Sequence, residues 1–172
     1  MEPVATFERL IFLEKNDFDA LWLKINTKAT SRFLCTIYRS PNDKRYDAFF
    51  EYLGNCVNEI LLRFPNSEVS FLGNFNVHNK DWLRFSRSNT PKGNAAHLFL
   101  TSCALIQIID CPTRILDNTN DTPHLLDLFL STAPSYYSFS ISSPLGNSDH
   151  NLIKIKSPID LVKPPLPRSN PR

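Results

Sequence analysis

No apolar run in the 172 residues approaches the roughly 18 needed to cross a bilayer, so no membrane span is expected. The opening "MEPVATFERL" has neither a basic stretch nor an apolar one behind it, which leaves no sign of a secretory signal there. The cysteines, Cys35, Cys56, Cys103 and Cys111, form no CxxC pair and have no HxxxH partner. They are read as reduced thiols in or near the core of an intracellular protein, with a disulfide or zinc set as the alternative. Charge is also scarce. A formal net charge of +2 and a pI near 8.4 are too mild to announce a nucleic-acid binder, so any such role must rest on a local patch. No internal repeat is present.

What is there suits one domain. With 42% hydrophobic and 12% aromatic residues the chain can bury a real core. Phe7 to Phe12, Ala20 to Ile25 and Phe33 to Tyr38 are short β-branched and aromatic stretches separated by polar turns, the pattern of consecutive antiparallel strands. "SPND" then stops the sheet, and Asp43 is placed to cap a helix. In that helix Phe49, Phe50, Leu53, Cys56, Val57, Ile60, Leu61 and Phe64 recur at helical spacing, so one face is expected to pack on a sheet. Further elements are expected at Val69 to Leu72 (strand), Gly93 to Ala104 (helix), Leu105 to Asp110, Leu125 to Leu130, Tyr137 to Ile141 and Leu152 to Ile155 (strands). The order predicts an α/β or α+β layered fold over residues 1–156. From Ser157 on, five of sixteen residues are proline, which reads as a tail or linker stub; its "PPLPR" is an SH3-type ligand motif only in the weakest sense.

Polar clusters punctuate the ends of the apolar strands: Tyr38 and Asn42 in "YRSPN", Asn74, Asn76 and His78 in "GNFNVH", His124 and Asp127 in "HLLDLFL", and Ser148, Asp149 and His150 in "SDH". Each alone is an ordinary turn, because Asn tolerates left-handed backbone and an Asp-His pair at a strand start is usually a satisfied imidazole. Together they supply a phenol, amides, carboxylates and imidazoles, the types that bind a divalent metal and a phosphodiester. Asp149 is the candidate oxygen ligand for Mg²⁺ and His150 the candidate donor to nonbridging phosphate oxygens. A water that attacks phosphorus must also lose a proton, which calls for a carboxylate nearby.

In this order and over roughly residues 5 to 156, the four motifs resemble the endonuclease/exonuclease/phosphatase superfamily, and most closely the apurinic-endonuclease-like domain of non-LTR (LINE-type) retrotransposons; "IDCPTRI" has the look of the same group. The resemblance implies a four-layered α/β sandwich of two packed, mainly antiparallel sheets flanked by helices, and Mg²⁺-dependent cleavage of DNA by a domain fused to a reverse transcriptase. By position, Tyr38 would contact the phosphate, Asn76 would orient phosphate and nucleophile, Asp127 would orient the imidazole, Asp149 would be metal-linked and His150 would face the scissile phosphate. Asn42, His78, Lys80, Trp82, Arg84 and Arg87 would suit contact with the nucleic-acid backbone, unless Trp82 is simply core and the cations solvated.

Two departures from the pattern stand out. Asn74 occupies the place of the motif's Asp, and a neutral amide cannot take a proton at pH 7. If that Asp is the general base, its loss removes a factor of about 10²–10⁴. The family's first strands, one ending in Asn and one in a metal-binding Glu, are also expected to be missing. Glu2, Glu8 and Glu14 lie in no comparable context and read as surface charges. The expectation is therefore an endonuclease-like domain, impaired in catalysis and nuclear if functional. The alternatives are a non-catalytic DNA-binding remnant, in which Arg84, Arg87 and Lys92 hold phosphates, or an active phosphatase or exonuclease of the same superfamily.

Overall fold

The computed structural model describes residues 6–27, 30–115 and 122–157. Glu2 and most of the proline-rich segment lie outside the described residues. One sheet runs in the order β1-β2-β3-β4-β6-β5, formed by β1 (Thr6–Arg9), β2 (Ala20–Asn26), β3 (Ser31–Tyr38), β4 (Glu68–Asn74), β5 (Ile106–Gln107) and β6 (Asp127–Ser131). All its pairings are antiparallel except β3 with β4, which is parallel. A parallel pair needs a crossover, and α1 (Tyr46–Arg63) supplies it.

Strand alternation sends Phe33, Cys35 and Ile37 of β3 to one face, joined by Trp22, Val69 and Phe71. Onto this face α1 lays Phe49, Phe50, Leu53, Val57 and Ile60, and α2 (Pro91–Ser102) lays Ala96, Phe99 and Leu100. Phe71 sits at the junction, its ring 5.4 Å from Trp22 and 5.3 Å from Phe99. The polar edges inside this core are satisfied: Trp22 Nε1 donates to the Tyr52 hydroxyl at 3.3 Å, which donates to the Leu13 carbonyl at 2.7 Å.

The opposite face carries Leu34, Leu72 and Phe129 and meets a second, two-stranded sheet of β7 (Ser138–Ser142) and β8 (Leu152–Lys156). Tyr137 links the two layers, with its ring 4.8 Å from Phe129 and its hydroxyl on the buried carboxylate of Glu68. A cleft of about 620 Å³ remains between the layers, lined by Ile25, Leu34, Leu72, Tyr137 and Ile155 among others. The result is the expected α/β sandwich.

Several local expectations are corrected. The segment from Phe7 to Phe12 is not one strand: β1 ends at Arg9, and Ile11–Leu13 turns as a 3₁₀ helix so that Leu10 and Leu13 enter the core while Ile11 and Phe12 face out. Glu14 is not a surface charge, since its carboxylate takes the Arg9 guanidinium at 2.8 Å and the Trp22 N–H at 3.2 Å. Asp43 does not cap α1. It accepts the Arg45 N–H at 2.8 Å in a turn, and the helix begins a residue beyond Arg45 with no side-chain cap. The real side-chain cap is on α2, where Thr90 accepts the Gly93 N–H at 3.1 Å ahead of Pro91, two residues before the expected start. The expected strand from Leu105 to Asp110 is two residues long: beyond Gln107 the Ile108 N–H still donates to the Phe129 carbonyl at 3.0 Å, but the Phe129 N–H goes to Gln107 Oε1 at 3.0 Å. All four cysteines are free thiols, with Cys35 and Cys56 buried. Among the described residues no helix is long and apolar enough to cross a membrane.

Candidate active site

Tyr38, Asn74 and Asp127 stand in one row across the sheet. Tyr38 is the register partner of Asn74 at the ends of β3 and β4, and Asn74 is the partner of Asp127 at the start of β6. Partners in register point to the same face, so three motifs far apart in sequence present a phenol, an amide and a carboxylate side by side. Tyr38 is 54% exposed at the edge of this row.

The loop after β4 is held from within. Asn74 Oδ1 accepts the Asn76 N–H at 3.0 Å. Asn76 sits at φ 48, a left-handed backbone that Asn tolerates better than most residues, and its Nδ2 donates to the Arg39 carbonyl at 2.7 Å. The Arg39 N–H in turn donates to the Asn74 carbonyl at 2.8 Å. Asn76 is therefore a buried tie between the β3 and β4 loops, and it shapes the rim more than it faces it.

A second row comes from the segments around residues 114, 124 and 150. Arg114 bridges to both His124 and His150 in antiparallel register, which places His124, Arg114 and His150 on one face. Beneath them lies Thr113, fully buried, whose hydroxyl accepts the Leu126 and Asp127 N–H groups at 3.1 and 3.0 Å. The two rows join where His150 Nδ1 lies 2.7 Å from Asp127 Oδ2. A carboxylate only accepts, so the proton sits on Nδ1 and His150 Nε2 is turned to the rim, 3.9 Å from Asp149 Oδ1.

Asp149 does not stand free. Its Oδ2 is 2.6 Å from Arg114 Nε, and the guanidinium holds the carboxyl below the usual carboxylate range. This arrangement bears on the Mg²⁺ expected there. Asp149 is engaged by a cation, Asp127 by an imidazole, and Asn74 offers only a neutral oxygen already bonded to Asn76. Among the described residues no three or more His, Cys, Asp or Glu are grouped to hold a metal. As arranged, the donors do not fit a Mg²⁺ site.

The other expected contact residues are spread around this rim. Asn42 is exposed on the loop after β3, its N–H 3.4 Å from Ser40 Oγ. Lys80, Arg84 and Arg87 are exposed on the β4–α2 loop, and Arg84 pairs with Asp110 at 3.4 Å. Trp82 stacks on His97 of α2, ring centroids 5.7 Å apart, and donates to the Gly93 carbonyl, so it packs the loop onto the helix. His78 lies 5.2 Å, ring to ring, from His124. Burial lowers the His78 pKa, and the neighbouring His124 and Lys92 lower it further.

A pH effect on stability follows. An imidazole harder to protonate when folded contributes stability fully above about pH 6.5, the ordinary value, and loses it as pH falls, since the unfolded chain takes the proton first. Denaturation midpoints are expected to drop between pH 7 and pH 5 more steeply in the wild type than in His78→Asn; equal slopes would remove His78 as the cause.

Thr113, Arg114 and Arg39 take parts in the site that their local sequence does not predict. Arg114 carried a signal, since "CPTRI" stood among the family-like stretches, but nothing local paired it with a residue 35 positions away.

The profile of a family described as endonuclease-reverse transcriptase matches residues 33–154, well over half of the chain. Among solved structures, the chain superposes on the endonuclease domain of TRAS1, a telomere-specific non-LTR retrotransposon, with TM-score 0.70 and 18% identity, covering 89% of this chain and 68% of that one. It superposes on an endonuclease/exonuclease/phosphatase family protein from Leptotrichia buccalis with TM-score 0.50 and 19% identity, over 81% and 54% of the two chains. For truncated Caenorhabditis elegans TDP2 the TM-score is 0.52 and the identity 14%, over 86% and 63%. No curated protein sequence matches. The chain thus spans about two thirds or less of the structures it resembles, and at these identities the likeness is one of fold. On its ordered motifs and its matched profile, the chain belongs to the endonuclease-reverse transcriptase family and has the α/β sandwich fold of the endonuclease/exonuclease/phosphatase superfamily.

Proposed function

We propose that this chain is a retrotransposon-type endonuclease domain that holds a DNA phosphodiester on the Tyr38–Arg114–His150 rim and is impaired in cleaving it. One observation carries the reading: Asn74 stands at the centre of the register row, between Tyr38 and Asp127, with its amide oxygen tied to the Asn76 N–H. A group there that could deprotonate water would complete the chemistry, and an amide cannot.

The remaining groups suit binding. The Tyr38 hydroxyl can donate to a phosphate oxygen, His150 can do so through Nε2 only as the imidazolium, and Arg114 brings a fixed positive fork beside them. Asp127 orients His150, and Thr113 orients Asp127. The proposed partners are DNA and, through the family's domain organisation, a reverse transcriptase; the proposed place of action is the nucleus.

The test is incubation with supercoiled plasmid and Mg²⁺, beside a mobility-shift titration in EDTA. The expected outcome is a salt-sensitive shift with no Mg²⁺-dependent nicking above background. Nicking that Asp149→Ala abolishes would overturn the impairment, and the lack of any shift would overturn the binding.

A further inference from the structure

The segment that carries Arg114 is held from both sides by its own backbone. The Arg114 N–H donates to the His124 carbonyl and the Arg114 carbonyl accepts the His124 N–H, both at 3.0 Å. On the other side the Ile115 N–H donates to the Asp149 carbonyl at 3.2 Å, and the Asn151 N–H donates to the Thr113 carbonyl at 2.8 Å. Arg114 is thus a bridge residue between His124 and His150, and its side chain leaves a fixed root. From that root Nε reaches Asp149 Oδ2 at 2.6 Å. The pair does not dissolve by titration of the arginine, which keeps its proton at any pH the protein meets.

This pairing decides what the rim offers to a cation. Among the described residues, Asp127 and Asp149 each already face a basic group of the chain, His150 Nδ1 at 2.7 Å and Arg114 Nε at 2.6 Å. The register partner of Asp127 is Asn74, a neutral amide. A hard divalent ion is held by negatively charged oxygens. To reach Asp149 it would have to displace a guanidinium anchored at its root, or share the carboxylate with it at a separation where two cations repel strongly. A divalent ion at such a rim would neutralise phosphate charge and activate water. A guanidinium does the first, since the pairing uses Nε and the fork has two Nη groups more to offer an anion. It does not do the second.

We propose that Arg114 is the resident cation of this rim: it occupies the Asp149 carboxylate that a divalent metal would use, so the rim takes its anion without metal and stays closed to metal while Arg114 is in place. This deepens the proposed function and rests on it for the identity of the anion. It also gives the impairment a second cause, separate from the amide at position 74.

The test is uptake of Mn²⁺, a stand-in for Mg²⁺ whose free ion is read directly by electron paramagnetic resonance. The quantity followed is the uptake that Asp149→Asn removes, measured at equal ionic strength in the wild type and in Arg114→Gln, with circular dichroism to check each fold. The wild type is expected to show none at about 1 mM Mn²⁺. Arg114→Gln is expected to gain such a site, with an affinity at least about tenfold above the wild type. Arg114→Lys keeps the charge and should stay closed; uptake there equal to that of Arg114→Gln would overturn the proposal. Uptake dependent on Asp149 in the wild type would also overturn it, as would its absence in folded Arg114→Gln. One further check needs no variant: wild-type dissociation constants for a labelled duplex oligonucleotide are expected to be equal in EDTA and in Mg²⁺ at matched ionic strength. A gain of affinity with Mg²⁺ would count against a resident arginine. Absence of binding in both would instead overturn the underlying reading of the anion, while the Mn²⁺ result would still decide the role of Arg114.

Discussion

Gly73→Ala is expected to cost more than about 4 kcal/mol, a large share of the roughly 5–15 kcal/mol available to a domain. Gly73 has φ 136, a backbone conformation that a side chain strains by about 1–3 kcal/mol in itself. Contact adds to the strain. A Cβ at Gly73 would lie 1.9 Å from the Ile37 carbonyl oxygen and 3.0 Å from its carbon. Those atoms belong to the backbone of β3, paired in register with β4, so no flexible side chain can swing away. Relief requires β3 and β4 to part at the pair that precedes Tyr38 and Asn74. The substitution therefore strikes fold and site together. Gly54→Ala is the contrast: a Cβ there meets nothing within 4 Å, and within α1 it should stabilise by about 0.5–1 kcal/mol. Denaturant unfolding of the two variants against wild type measures both, and a Gly73→Ala protein within about 1 kcal/mol of wild type would refute the strain argument.

Thr113→Val should cost about 2–5 kcal/mol, since each buried N–H left without a partner costs about 1–3 kcal/mol. Valine fills the same space, yet it removes the one oxygen that accepts both the Leu126 and the Asp127 N–H. Thr113 is fully buried, so bulk solvent does not reach the position of that oxygen. The backbone of Thr113 also takes part, donating to the His124 carbonyl at 2.9 Å and accepting from the Asn151 N–H at 2.8 Å. One threonine thus pins together the three segments that carry Arg114, Asp127 and His150. In hydrogen exchange the Leu126 and Asp127 amides should lose protection before the centre of β4 does. Thr113→Ser keeps the oxygen and should retain most of the stability and the protection pattern. Equal loss in Val and Ser variants would point to the methyl contact and against the hydroxyl.

Both substitutions act at places that a reading of the chain ranks very differently. Gly73 belongs to "GNFN", which stands out at once, whereas Thr113 is one hydroxyl in an irregular polar segment. The difference is physical. A strand or helix announces itself through a local period, and β3, β4 and α1 were legible for that reason. A side chain that satisfies backbone from 13 residues away leaves no local trace. Glu14 looked like surface charge for the same reason, because its partners Arg9 and Trp22 meet it only once Ile11–Leu13 turns inward. Asp43 shows the reverse case, where a local rule fits two outcomes and the neighbouring Arg45 decides between them.

By itself the sequence determined the layered α/β fold, the family, the strand ends that bear Tyr38, Asn74, Asp127 and His150, and the neutral amide at position 74. These are matters of residue type, order and period, and each is written in a stretch of a few residues. Only the tertiary structure decided that Tyr38, Asn74 and Asp127 share one register line, that Arg114 occupies Asp149, and that His124 meets His78. Those facts depend on which strand lies beside which and on how close a loop comes to a helix, and no local preference of the chain encodes such distances.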